Sequence, residues 1–194
     1  DFAADTNTLI VYDNAYSEFF FDDYVTPSFL ETNMNHVEIH SASKTFNMTG
    51  YRCGWVVGNA EIIAGLRKIK SQIDSGCPTF IQRAVMKGLE LYDGQRRPDK
   101  VRENMAIYQE RRDIMMKGLD ELGWEVTMPK ATFYIWVKSP EKDSMAFAEK
   151  MINAGVVGTP GVGFGATGEG YLRFAMTQPA ERIKEAVDRL ESLK

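Results

Sequence analysis

Cysteine is scarce: Cys53 and Cys77 are the two in 194 residues, with no CxxC pair and no histidines around them at metal-ligand spacing. That excludes a disulfide framework and a zinc site of the usual spacing, and it suits a reducing, cytoplasmic compartment. Histidine is as rare, at His36 and His40. No apolar run approaches the roughly 20 residues that a membrane span needs. The opening stretch DFAADTNTLIVYDNAY lacks the basic n-region and apolar core of a signal peptide. It leads within a few residues into an expected strand, as a chain entering in mid-fold would. Charge of one sign is not in excess either. With 23 basic and 27 acidic residues the formal net charge is −4. Without a basic stripe interleaved with aromatics, a nucleic-acid surface is excluded. Internal repeats and low-complexity tracts are absent.

What is present belongs to an ordinary globular chain, 44% hydrophobic and 26% charged. The length fits one large or two small domains, with a core large enough to need neither disulfides nor metals. TLIVYDNAY predicts a short buried strand over Thr8 to Tyr12, HVEIHS a second over Val37 to His40, and CGWVVG a third. From Ala60 to Ile73 the apolar residues Ile62, Ile63, Leu66, Ile69 and Ile73 recur at helical spacing, with basic residues on the other face. Gly76-Cys77-Pro78 breaks this helix, and a second runs from Thr79 to about Tyr92. A long third helix starts near Pro98 and ends by Leu122 and Gly123. WEVTM and ATFYIWVK then read as antiparallel strands. SMAFAEKMINAG reads as a helix, VVGTPG and GYLRFAMT as strands, and Pro179 to Leu193 as a closing helix. The overall class is α/β, with a strand-and-helix first part and an α+β last part.

Several polar residues sit where this pattern would place a ligand. Asp13 and Tyr16 lie at the carboxyl end of a strand, the edge at which α/β sheets bind ligands. An Asx turn with a packed tyrosine is the plain alternative. Lys44 follows the second strand in Ser41-Ala42-Ser43-Lys44. A desolvated lysine amine is a nucleophile toward carbonyls, whereas a loop lysine on the surface is inert. Arg52 stands eight residues later, beyond Gly50 at the turn that brings the chain back around the lysine. A serine hydroxyl and a forked guanidinium suit a phosphate monoester. A lysine, an anion clamp and a carboxylate within some forty residues match the needs of an aldehyde cofactor with a phosphate handle, pyridoxal phosphate.

The run SASKTFNMTGYRCG resembles the lysine signature of the class I/II, fold-type I, pyridoxal-phosphate-dependent aminotransferases. It departs only at Cys53, where a small aliphatic residue is usual. YDNAYSEF upstream resembles the same family's Asp-x-x-Tyr element. The resemblance implies that Lys44 forms the internal aldimine and shuttles the substrate's α-proton. It implies that Asp13 keeps the pyridine nitrogen protonated, that Tyr16 donates to the cofactor's 3-oxygen, and that Ser41 and Arg52 bind the phosphate with Ser43 beside them. In GEGYLRFAMT an arginine inside an apolar strand calls for an anionic partner, and Arg173 matches the family's grip on the substrate α-carboxylate. The preceding turn TPGVGFGATGEG resembles the small-domain segment near the substrate, where its glycines would permit movement. His36 and His40 read as structural, the FYIW cluster as core, and Gln95-Arg96-Arg97 as a solvated break.

By this resemblance residues 1–75 form the C-terminal part of the cofactor-binding large domain, 76–122 are linking helices, and 123–194 form the C-terminal small domain. The match covers all 194 residues yet corresponds to about the C-terminal half of such an enzyme. The glycine-rich phosphate loop, the ring-stacking aromatic and an asparagine near the 3-oxygen belong to the other half, so these residues alone are expected to hold little cofactor and to be a poor catalyst. The implied reaction is transamination between an amino acid and a 2-oxo acid by a homodimer with sites at its interface. SKTFNMTGYR, TPGVGFG and GEGYLRFAMTQPAERIKEAVDRL look most like the LL-diaminopimelate aminotransferase group of lysine biosynthesis, with 2-oxoglutarate and glutamate as the other pair. Two rivals stay open: a β-eliminating lyase on the same fold, and a cofactor-binding effector domain of a transcriptional regulator.

Overall fold

The computed structural model describes residues 2–193, and the chain divides into two units, Asp1–Arg102 and Glu103–Lys194. The boundary between them falls within the block 76–122.

In the first unit a short helix α1 (Phe2–Thr6), not foreseen in the sequence, precedes β1 (Val11–Asp13). There follow β2 (Val37–Ser41), α2 (Ala42–Thr45), β3 (Gly54–Gly58), α3 (Ala60–Ile73) and α4 (Thr79–Leu89). The sheet order is β1-β2-β3, with β1 parallel and β3 antiparallel to β2. Tyr12 lies opposite Glu38 and Asp13 opposite Ile39. Side chains alternate along a strand, so Val11, Asp13 and Ile39 share one face. All three are exposed, Val11 at 53%, while Val37 on the same face is buried, so the expectation of fully buried strands is corrected for the part of that face around Val11, Asp13 and Ile39. The other face is covered by the loop between β1 and β2, where Phe29 packs against Tyr12 and His36, and Phe19 against Phe21.

Helix α3 has the boundaries its periodicity predicts. Its N-cap Asn59 accepts hydrogen bonds from the N–H groups of Glu61 and Ile62, at 3.0 and 3.1 Å, which satisfies two otherwise orphaned donors. Its apolar stripe, however, is not buried: Ile69 and Ile73 are largely exposed. In α4, Ile81 and Val85 point inward. Gly88 allows the Phe46 ring to approach so closely that a Cβ would meet it at 2.9 Å.

Helix α5 (Asp99–Glu121) begins in the first unit and continues into the second. The second unit adds β4 (Tyr134–Lys138), α6 (Ser144–Asn153), β5 (Thr159–Pro160), β6 (Tyr171–Ala175) and α7 (Ala180–Leu190). Its sheet is antiparallel in the order β4-β6-β5. Leu119, Ile135, Met151 and Leu172 are wholly buried at its centre, within a cluster that includes Trp124, Phe147 and Phe174. Burying one such side chain contributes about 1.5–3 kcal/mol. The strand expected over Trp124–Met128 does not form. Its alternation is real, with Trp124 buried and Glu125 exposed, but it reflects the burial of Trp124 in the core, without a ladder partner.

In the turn before β6, Gly161 and Gly168 lie back to back, and a Cβ on Gly161 would stand 2.0 Å from the Gly168 carbonyl oxygen. These two glycines are required by close approach. Among the described residues no helix is long and apolar enough to cross a membrane.

Candidate active site

The register of the first sheet puts Asp13 at the carboxyl end of β1 and Lys44 just beyond the carboxyl end of the adjacent parallel strand β2. That is the edge at which α/β sheets hold ligands. The Asp13 carboxylate accepts a hydrogen bond from the N–H of Ala15 at 3.2 Å, an Asx turn that orients it. It remains exposed on the open sheet face. The Lys44 amine lies 5.7 Å from the centre of the Tyr16 ring, so the structure brings these two predicted residues together.

A chain of hydrogen bonds joins the remaining residues of the element. Ser41 caps α2, its hydroxyl oxygen accepting from the Ser43 N–H at 3.1 Å. The Ser43 carbonyl accepts from the Thr49 hydroxyl at 3.0 Å, and the Thr49 carbonyl accepts from the Arg52 guanidinium at 2.9 Å. Ser43 itself is buried. Gly50 lies at the turn, as expected. It sits in open space within a 3₁₀ turn, Thr49–Tyr51, and the left-handed residue is Arg52, at φ 53°. A non-glycine residue in that region is uncommon and costs free energy, a cost that clusters at ligand sites. Gly54 supplies the close approach instead, since a Cβ there would lie 2.7 Å from the His40 carbonyl oxygen.

Arg173 belongs to the second unit, on β6 between Trp136 of β4 and Thr159 of β5. Its guanidinium lies 4.2 Å from the centre of the Tyr134 ring and 4.4 Å from that of Phe164. Cation–π contacts of this kind hold a guanidinium in place without neutralising it. Its Nε is buried without a hydrogen-bond partner.

Lys44, Arg52 and Arg173 share one property: among the described residues none has a carboxylate partner. Other basic residues pair readily, as Lys138 does with Glu125 and Lys150 with Glu141. A free amine beside an aromatic ring, with a hydroxyl and guanidinium carrying unused donors and a carboxylate at the neighbouring strand end, is a donor set that fits pyridoxal phosphate. The orphaned Arg173 donor fits a carboxylate.

One group escaped the sequence reading. Glu38 is 1% exposed and accepts from the Asn14 side-chain amide at 2.6 Å and the Ser28 hydroxyl at 2.7 Å, with His40 Nε2 at 3.0 Å. Burial pushes its carboxyl up, but these donors and His40 outweigh that and hold it below the usual carboxylate range. The hint available was a carboxylate in the middle of a strand. His40 also stacks on Trp55, and His36 is buried and accepts from the Ile10 N–H. Both histidines serve packing and hydrogen bonding. Cys53 and Cys77 are free thiols, that of Cys53 pushed up by burial and by its neighbour Cys77.

The comparisons with known proteins converge. LL-diaminopimelate aminotransferase of Desulforudis audaxviator is 45% identical over 195 residues, covering 98% of this chain and 48% of its own length. The enzyme of the same name from Halothermothrix orenii is 45% identical over 197 residues, covering 99% and 49%. The crystal structure of an aromatic aminotransferase from Pyrococcus horikoshii superposes with a TM-score of 0.89 at 33% identity, covering all of this chain and 52% of that one. The chain spans about half the length of the curated relatives it matches. The model of the family described as aminotransferase class I and II matches residues 1–190, and the chain belongs to that family.

Proposed function

We propose that the protein carrying this chain is a pyridoxal-phosphate-dependent aminotransferase. Its reading as an enzyme of LL-diaminopimelate and 2-oxoglutarate, in lysine biosynthesis, rests on relatives of that name at 45% identity. It would work in the cytoplasm as a homodimer, with an amino acid and a 2-oxo acid as its partners. The carrying observation is Lys44, an amine at the carboxyl end of β2, against the Tyr16 ring and free of any carboxylate among the described residues.

When bound, the cofactor supplies an electron sink for the carbanion left by loss of the substrate's α-proton. The residues of this chain would supply part of the rest. Lys44 Nζ would hold the cofactor through its aldehyde carbon and, as an amine, would take up and return the proton of the substrate α-carbon. Asp13 would hold a proton on the ring nitrogen, its carboxylate accepting that N–H. The Tyr16 hydroxyl would donate to the 3-oxygen. Ser41 and Arg52, with Ser43 beside them, would bind the phosphate by charge-assisted hydrogen bonds. Arg173 would take the substrate α-carboxylate through two parallel N–H···O bonds, which orients the α-hydrogen.

The test is an assay of the protein carrying this chain with LL-diaminopimelate and 2-oxoglutarate. Glutamate is the expected product. Pyruvate and ammonia from a cysteine-type substrate, without glutamate formation, would replace this reading with that of a β-eliminating lyase.

A further inference from the structure

The loop after β1 is tied to β2 at two points. The Asn14 N–H donates to the Ile39 carbonyl at 2.8 Å, and the Asn14 side chain donates to Glu38 Oε1 at 2.6 Å. Asp13 is the residue immediately before. Its carboxylate lies on the open face of the sheet while Glu38, one register position back, faces the covered side. Glu38 also gathers Ser28, which caps the 3₁₀ turn Phe29–Glu31 within the β1–β2 loop, and His40 from its own strand. A carboxylate only accepts hydrogen bonds, so His40 Nε2 carries a proton and Nδ1 faces the Ser17 hydroxyl at 3.4 Å. Ser17 lies one residue beyond Tyr16. Both ends of the Asp13–Ser17 turn are thus joined to one buried carboxylate, at one end through Asn14 and at the other through His40.

We propose that Glu38 is a positioning residue of the cofactor site: on the covered face of the sheet it fixes the turn that carries Asp13 and Tyr16. This rests on the pyridoxal-phosphate reading of the site. A buried carboxylate is a costly way to close a loop that apolar packing would close as well. What it adds is directional: several donors from separate segments held at fixed angles. Asp13 has no tie of its own beyond the backbone and the Ala15 N–H among the described residues.

The test compares E38Q, N14A and V85A in the protein carrying this chain, loaded with pyridoxal phosphate. Val85 is buried in α4, so V85A lowers stability without touching the network. The readouts are the cofactor dissociation constant, the pH midpoint of the bound cofactor's visible absorbance, and the melting temperature. E38Q nearly preserves shape but presents a donor where the carboxylate accepted. Both E38Q and N14A are expected to weaken cofactor binding about tenfold or more and to move the absorbance midpoint by roughly half a unit or more. The double variant should add little, because the two act through one link. V85A should lower the melting temperature and leave the other two readouts unchanged. If E38Q and N14A behave like V85A, with affinity and midpoint unaltered, Glu38 is a structural group and the proposal falls. If the unaltered protein shows no cofactor absorbance at all, the reading of the site falls and this role with it.

Discussion

Replacing Lys44 by alanine is expected to abolish amino transfer by the protein carrying this chain, with a loss of at least about ten-thousand-fold. General acid–base catalysis by a positioned group contributes about 10²–10⁴-fold, and in the proposed function the same amine also anchors the cofactor, so both contributions would vanish together. Arginine fails equally, because a guanidinium does not deprotonate in proteins and is no nucleophile. The fold should survive. Lys44 is half-buried and has no carboxylate partner among the described residues, so its removal orphans nothing. The expected change in stability is within about 1 kcal/mol. Steady-state amino transfer and thermal melting check the two halves of this statement. Activity within tenfold of the unaltered protein would remove the lysine from its role.

Arg173→Gln should have the second-largest effect. Truncating one partner of a desolvated, hydrogen-bonded charge pair costs about 2–5 kcal/mol, so kcat/KM for an amino acid should fall by roughly two to three orders of magnitude. The effect should be selective. An amine lacking the α-carboxylate has nothing for Arg173 to grip, and its already poor rate should change little. Tyr134 and Phe164 flank the guanidinium, and loss of those contacts costs about 0.5–2 kcal/mol in stability, which melting will register separately. Equal losses for the amino acid and the amine would mean that Arg173 supports the sheet rather than the substrate.

How far the sequence carried the structure depends on the range of the forces involved. Helix α3 was legible to its end residues because spacing, cap and breaker are all local: Asn59 starts it, and the Gly76-Cys77-Pro78 break follows soon after its last residue, Ile73. Helix α5 and strands β4 and β6 were legible for the same reason. The exposure of the α3 stripe was not, since periodicity states that a face is apolar without stating what covers it. Trp124–Met128 was read as a strand because alternation reports burial, and ladder pairing is settled elsewhere in the chain. The lysine element was recognisable as a motif with Gly50 in its turn, whereas the left-handed backbone of Arg52 and the close approach at Gly54 were not foreseen. The Glu38 network was out of reach altogether. Asn14 and Glu38 are 24 residues apart, Ser28 and Glu38 ten; the parallel register of β1 on β2 brings Asn14 to Glu38, and the loop between the strands brings Ser28.

The most direct test of the central claim is chemical. The protein carrying this chain is incubated with pyridoxal phosphate, reduced with borohydride, digested and mapped by mass spectrometry. A lysine amine joined to the cofactor's aldehyde carbon becomes a stable secondary amine under reduction. The expected result is one phosphopyridoxyl-labelled position, Lys44, with no label in Lys44→Ala. Label on another lysine such as Lys68 or Lys70, or undiminished label in Lys44→Ala, would contradict the account.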